Sequence, residues 1–348
     1  MIKKEVCVIG HFGFGKDLLN GQTIKTKIIT SELEKQLGKG EIVRIDTHGG
    51  KKALIKLFIK AGYAVKNCKN VVIMPANNGL QFFSPILMFW KLFFRVKLHY
   101  IVIGGWLAEF IANKNGLQKQ LKRFDVIYVE TKTMKQKLEK MGFQNIIVMP
   151  NCKDIKILKE DELIYSFDEP LKLCTFSRVM KEKGIEDAIA AVKKINEKYG
   201  RRIFTLDIYG QVDSGYEERF TDIKKTFPEF IRYGGLIPFD KSVSVLKEYY
   251  ALLFPTYYEG EGFAGTLIDA LAAGVPVIAS DWKYNTELVE EGVTGFIFKN
   301  RDLDELIDKL DMAYKQNIHF VRMKKKCLSI ATQYLPCNVI QIYMRNME

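Results

Sequence analysis

Residues 251–280 read ALLFPTYYEGEGFAGTLIDALAAGVPVIAS, and this stretch decides how the chain folds. An apolar run closes at Pro255 and a glycine-rich turn follows it. A helical stretch then starts near Gly265, is closed by a glycine, and leads into a second apolar run, VPVIAS. Strand, turn, helix and strand in that order imply a parallel sheet carrying helices on its faces.

The same alternation extends in both directions. Before residue 150, VCVIG, EIVRID, VVIMP, HYIVIGG, DVIYVE and NIIVMP read as strands. Segments such as IKTKIITSELEKQLG place Ile24, Ile28, Leu33 and Leu37 at helical spacing. After residue 168, LKLCTFS, IFTLDIYG, EFIRYGGL, ALLFPT and VPVIAS are strands, and IEDAIAAVKKINEKYG is a helix closed by a glycine. The strands pause over the polar stretch 151–168, which reads as a linker. The expectation is α/β architecture with two doubly wound domains. The first spans 1–165, with a C-terminal crossover helix at 328–348 returning to it, and the second spans 166–327.

A length of 348 residues with 47% hydrophobic and 27% charged residues suits two globular cores. Six scattered cysteines without a C-x-x-C pair argue against zinc and against a disulfide framework, and fit a reduced, cytoplasmic setting. The N-terminus lacks signal-peptide build. The most lipid-like segment, PILMFWKLFFRVKLHYIVIGGW, is broken by Lys91, Arg95 and Lys97 short of the roughly 18–20 apolar residues that a span needs. Charge is uneven: residues 1–150 hold 25 Lys+Arg against 10 Asp+Glu, and residues 151–348 hold 28 against 31. The excess in the first half predicts an anionic partner there.

In parallel sheets ligands bind beyond the carboxyl ends of the strands, so the loops after each strand carry the chemistry. The turn at 259–265 would expose backbone amides at a helix start, which favours phosphate. Glu261 lies in that turn and Asp269 one helical turn further on; carboxylates accept hydrogen bonds from sugar hydroxyls. In CTFSRVMKEKGIEDAI, Arg178 and Lys183 follow a strand and precede a helix, where two cations can balance a leaving diphosphate. Glu261 and Asp269 as the acid–base pair of a glycosidase would leave those phosphate-friendly features unexplained.

Two motifs together resemble glycosyltransferase family 4. E-G-F-x-x-x-x-x-D, from Glu261 to Asp269, is similar to that family's E-x7-E element, and S-R-V-M-K-E-K-G to its R-x4-K-G element. The likeness is strongest over 171–300. It implies the GT-B fold, two Rossmann-like domains facing a central cleft, and retaining transfer from a nucleotide diphosphate sugar, UDP-sugar favoured over GDP-sugar. Arg178 and Lys183 would hold the diphosphate, and Glu261 the donor sugar. Backbone around Gly262, Phe263, Ala264 and Gly265 would meet sugar and phosphate, and Asp269 the ribose. Asp269 replaces the family's second Glu, and Ala264 a usual glycine. These two departures are what favours the alternative reading, a non-catalytic nucleotide- or saccharide-binding protein of the same fold.

No metal or other cofactor is expected: the one D-x-D string, Asp302 to Asp304, reads as a helix start. GHFGFGKD, residues 10–17, is nearly a P-loop, but Asp17 stands where magnesium needs Ser or Thr. Gly13 and Gly15 are instead expected to let backbone approach the donor diphosphate. On the acceptor side, His11, His48 and Trp106 lie in strand-end loops. The helix over 51–69 sets Lys52, Lys56 and Lys60 on one stripe, and with FFSPILMFWKLFFRVK it makes a basic, aromatic region suited to an anionic membrane surface. No nucleic-acid motif accompanies the charge. The acceptor expected is a saccharide, lipid-linked, at the inner face of the cytoplasmic membrane in surface-polysaccharide synthesis.

Overall fold

The computed structural model describes residues 3–15, 21–48 and 54–347. It divides into two compact units, Met1–Asp154 with Leu335–Glu348, and Ile155–Tyr334. The polar stretch 155–165, which the sequence reading assigns to the first domain, packs in the second unit. Ile155 and Ile157 lie against that unit's core, and the Leu158 N–H donates to the Ala272 carbonyl at 3.0 Å. The return to the first unit comes at Leu335, after the helix that contains residue 328 has ended.

The first unit runs β1 (Lys4–Gly10), α1 (Gly21–Leu37), β2 (Ile42–Asp46), α2 (Leu54–Asn67), β3 (Cys68–Ile73) and α3 (Asn77–Lys91). It continues through β4 (Lys97–Ile101), α4 (Leu107–Ile111), α5 (Asn115–Leu121), β5 (Val126–Val129), α6 (Lys132–Lys140) and β6 (Ile146–Val148). The strands form one parallel sheet in the order β2-β1-β3-β4-β5-β6. Strands covered on both faces read as unbroken apolar runs, and Val6, Cys7, Val8 and Ile9 are fully buried. Helix α1 starts at Gly21, three residues before the helical segment that begins at Ile24 in the sequence reading. Lys16, Asp17 and Lys52 lie outside the described residues.

The second unit runs β7 (Leu171–Phe176), α7 (Ile185–Tyr199), β8 (Phe204–Tyr209), α8 (Glu217–Lys225), β9 (Ile231–Gly235), α9 (Ser242–Leu246) and β10 (Ala251–Phe254). Then follow α10 (Gly265–Ala272), β11 (Val277–Ser280), α11 (Asn285–Leu288), β12 (Gly295–Phe298), α12 (Leu303–Lys315) and α13 (Asn317–Ala331). Its parallel sheet is ordered β12-β11-β10-β7-β8-β9. The edge strand β12, GFIF, carries no flanking alternation and is not read from the sequence. Asp302 caps α12, its carboxylate accepting from the Glu305 N–H at 3.0 Å, as the helix-start reading expects.

The last helix, α14 (Pro336–Met344), returns to the first unit, where Val339, Ile340 and Tyr343 join its core. Proline at the start of α14 costs no hydrogen bond, because the amide it lacks has no partner inside the helix. Each sheet has one switch point, where successive connections leave in opposite directions: between β1 and β3 in the first, and between β7 and β10 in the second. Among the described residues no helix is long and apolar enough to cross a membrane.

Candidate active site

The two motif-bearing loops of the second unit leave adjacent strands, β7 and β10, at that switch point. Lys183 Nζ meets Glu261 Oε2 at 2.5 Å, with both side chains about nine-tenths buried. Thr256 Oγ1 donates to the same carboxylate oxygen at 2.8 Å. The Ser280 hydroxyl donates to the Thr256 carbonyl at 2.6 Å, and the Asn285 amide donates to the Ser280 carbonyl at 3.1 Å. This chain of polar contacts fixes Glu261 from behind. Thr256, Ser280 and Asn285 are missed by the sequence reading, because their roles depend on β10 lying beside β11. Trp282 Nε1 donates to the Tyr258 carbonyl at 2.8 Å and so braces the turn from the next loop.

Gly184 locks the two loops together. Its φ is +70°, and a Cβ there would stand 2.1 Å from the Pro255 carbonyl oxygen. The Tyr257 N–H donates to the Glu182 carbonyl at 2.8 Å across the same junction. Any other residue at 184 brings both a strained backbone and a collision.

Arg178 is more exposed, its side chain 57% accessible and its guanidinium 3.5 Å from the Asp213 carboxylate. Helix α10 starts at Gly265 with no acidic residue in its first turn, and a Cβ added at Gly265 would meet nothing within 4 Å. An open helix start and cations on the neighbouring loop are features that favour an anion. Phe263 turns its ring inward onto Tyr334, with centroids 5.3 Å apart, and Ala264 is buried beside it. Gly262 sits half-buried between Glu261 and Phe263. Asp269 lies one turn into α10 and is buried, with 2% of its surface exposed.

The first unit uses its glycine loop differently. The Phe12 and Phe14 N–H groups each donate to a different oxygen of the Asp46 carboxylate at 2.9 Å, and the His48 N–H adds a third bond at 2.9 Å. Parallel pairing of Gly10 with Asp46 brings these together. Burial alone would raise the Asp46 pKa, but the amides of His48, Phe14, Phe12 and Gly13 outweigh it and hold the carboxyl below its usual range. The amides on either side of Gly13 thus face a carboxylate of their own chain, while space around Gly15 is open.

His11 and His48 are brought together, Nε2 to Nδ1 at 3.1 Å, and His11 Nδ1 meets the Thr23 hydroxyl at 2.7 Å. Trp106 is tied to its own loop, donating to the Ile103 carbonyl at 2.8 Å and stacking edge-on against Phe110. His99, in β4, is fully buried and bonded to Asn70, and burial pushes its pKa down to about 4, so it stays neutral. At the switch point of this sheet a cavity of about 760 Å³ is lined by Gln22, Thr47, Asn77, Asn78 and Phe82 among others. Among the described residues no three His, Cys, Asp or Glu side chains are grouped as metal ligands.

With both loops placed, the segment carrying them can be compared with known proteins. Residues 159–328 match the family described as glycosyl transferases, group 1. The resemblance read from the two motifs is borne out, and both motifs fall inside the matched segment. The UDP-N-acetylglucosamine–peptide N-acetylglucosaminyltransferase GtfA subunit of Streptococcus gordonii is 26% identical over 62% of the chain and 43% of its own length. The amylovoran biosynthesis glycosyltransferase AmsK of Erwinia amylovora is 26% identical over 40% of the chain and 34% of its own. The chain therefore spans less than half the length of these curated relatives. Among solved structures, Anabaena HepE in complex with UDP has a TM-score of 0.74 at 12% identity, covering 98% of both chains. That likeness is one of fold, and it bears out the GT-B expectation of two Rossmann-like parallel sheets.

Proposed function

We propose that this protein is a glycosyltransferase that moves a hexose-type sugar from a nucleotide diphosphate sugar, a UDP-sugar, to a saccharide acceptor. The observation that carries the reading is the Lys183–Glu261 pair, set at the switch point of the second sheet beside the open start of α10. In the proposed reaction the diphosphate draws Lys183 away from Glu261 and engages Arg178 and the first amides of α10. Glu261, held by Thr256, is left to accept hydrogen bonds from the donor sugar. Cations and a helix start balance the charge that develops on the leaving phosphate, so no metal ion is required. Asp269 would serve the ribose through the first turn of α10. Transfer proceeds with retention, the acceptor hydroxyl attacking the face that the diphosphate leaves and giving its proton to that phosphate. The UDP held by the full-length fold neighbour favours uridine.

The acceptor belongs, in this reading, to the cavity at the first sheet's switch point, where the Asn77 and Asn78 amides and the Phe82 ring suit a sugar's hydroxyls and apolar face. AmsK, a relative named for amylovoran biosynthesis, favours a saccharide of polysaccharide assembly as the acceptor, and the reading takes that saccharide to be lipid-linked. The test is donor turnover. A thermal-shift series with UDP, GDP and ADP selects the base. UDP release from the matching sugars is then measured with saccharide acceptors in the presence of EDTA, and the anomeric configuration of the product is read by NMR. Binding of UDP without release from any donor and acceptor pair would replace the enzyme by a binding protein, and inversion at the anomeric carbon would overturn the mechanism.

A further inference from the structure

From residue 47 to residue 108 the chain carries nine Lys and Arg and no Asp or Glu. The structure concentrates much of this charge at the amino edge of the first sheet, opposite the edge that bears the strand-end loops. There Lys3, Lys69, Lys91, Arg95 and Lys97, with the Phe94 ring, line a cavity of about 500 Å³. Two carboxylates reach these five cations: Glu5 pairs with Lys69 at 2.5 Å, and Asp125 with Lys91 at 2.6 Å. Lys3 Nζ donates to the Arg95 carbonyl at 2.7 Å, which ties the chain's start to this site. Among the described residues no further carboxylate is paired with these cations, and the cavity keeps an excess of positive charge.

Beside it, apolar surface is left in water. Phe58, Ile59 and Tyr63 on α2, and Phe89, Leu92 and Phe93 at and beyond the end of α3, make up six of the eleven large hydrophobic side chains exposed among the described residues. They join through rings: Phe58 with Trp90 at 5.4 Å, Phe89 with Phe93 at 5.3 Å, and Trp90 with Phe94 at 6.3 Å, the last reaching the cavity wall. Gly62 makes the arrangement possible, because a Cβ there would stand 2.7 Å from the Trp90 indole. Leu57 and Ala61 are buried, while Phe58 faces water.

We infer that this surface is a docking site for an anionic membrane, with a phosphate-bearing lipid headgroup in the Lys3–Lys69–Arg95–Lys97 cavity and the ring-linked ridge entering the interface. Uncompensated cations beside exposed aromatic rings are the combination that an anionic bilayer surface rewards, the cations through its surface potential and the rings through the headgroup boundary. A net positive cavity next to exposed rings suits an anionic bilayer better than a protein partner, whose interface is bordered by a polar rim. The site rests on charge and shape at the amino edge, and stands whether or not the donor reading holds.

The test is flotation of the full chain with vesicles of neutral phosphatidylcholine, and with vesicles in which about a third of the lipid is phosphatidylglycerol, in low and high salt. Wild type floats with the anionic vesicles only, and less so at high salt. Arg95→Glu with Lys97→Glu, and separately Leu92→Ser with Phe93→Ser, each cut vesicle partition more than about tenfold. Both pairs keep the wild-type thermal midpoint and wild-type UDP binding. Equal partition to neutral vesicles, or unchanged partition in either pair, overturns the proposal. So does full competition by millimolar inorganic phosphate, which would make the cavity a site for a free anion. A dimer in solution that Leu92→Ser with Phe93→Ser converts to monomer, without any vesicle binding, assigns the ridge to a second copy instead.

Discussion

At the switch point of the second unit, Lys183 and Glu261 face each other beside an open helix start, whereas at that of the first unit the Phe12 and Phe14 amides are already taken by Asp46. Both places are strand-end loops rich in glycine on parallel sheets, and both gather backbone N–H groups. One keeps its cations in exchangeable pairs next to open space; the other has filled its amide nest with a carboxylate from the neighbouring strand. A glycine-rich loop after a first strand therefore does not by itself make a phosphate site. What matters is whether the chain supplies its own anion.

The sharpest way to break this contrast is at Lys183. Lys183→Ala is expected to lower UDP-sugar turnover about 10²–10³-fold, and Arg178→Ala by somewhat less, because the second cation is more exposed. Steady-state UDP release measures both, and near-normal kinetics in the two variants would remove the donor site from this loop pair. Next comes the first unit's buried pair, Lys25 Nζ to Glu130 Oε1 at 2.5 Å, where both side chains are almost wholly enclosed. Lys25→Met leaves an unpaired buried carboxylate and should cost about 3–5 kcal/mol in urea unfolding. Adding Glu130→Leu should restore most of that. An equal loss in the double variant would show that packing, not charge, governs the site.

Asp46→Ser empties the nest, and should cost about 2 kcal/mol while making the thermal midpoint rise with added phosphate. The sign of its pH dependence follows from the lowered carboxyl pKa. In wild type its stabilisation is complete above the unfolded value near 4 and is lost as pH falls through the lower folded value; the variant lacks that loss. The smallest expected effect lies at Lys324, which is buried under Phe167 and pushed down by burial to about 8. A lowered lysine makes the folded state gain stability as pH rises from about 8 toward the unfolded value of 10.5. Lys324→Met should therefore raise the midpoint at pH 7 and flatten that rise.

Strands were the most legible part of the chain, since β1, β7, β10 and β11 are buried on both faces and appear as apolar runs that end at turn residues. The motif residues Arg178, Lys183 and Glu261 were legible too, because their spacing places them on two strand-end loops, which the pairing of β7 with β10 brings side by side. Asp46 and Thr256 were not. Asp46 acts on the loop of a different strand, a carboxylate ending EIVRID looks like any strand-end charge, and Thr256 is held by Ser280 from the end of the next strand. Phe263 looked like a residue offering its backbone to a ligand, and its ring in fact pins the turn to Tyr334. The basic, aromatic character of the region around α2 was legible, and the side-chain exposures add which of its rings face water: Phe58, Tyr63, Phe89 and Phe93.

The contact between Gly184 and the Pro255 carbonyl has a practical consequence for anyone recombining this chain with its relatives. The segment around 177–184 and the segment around 255–266 interlock at a spacing that admits no side chain, so neither can be transplanted alone into a relative whose other loop takes a different path. Chimeras with such relatives should carry the two segments as one cassette, and libraries built on this scaffold should hold position 184 constant.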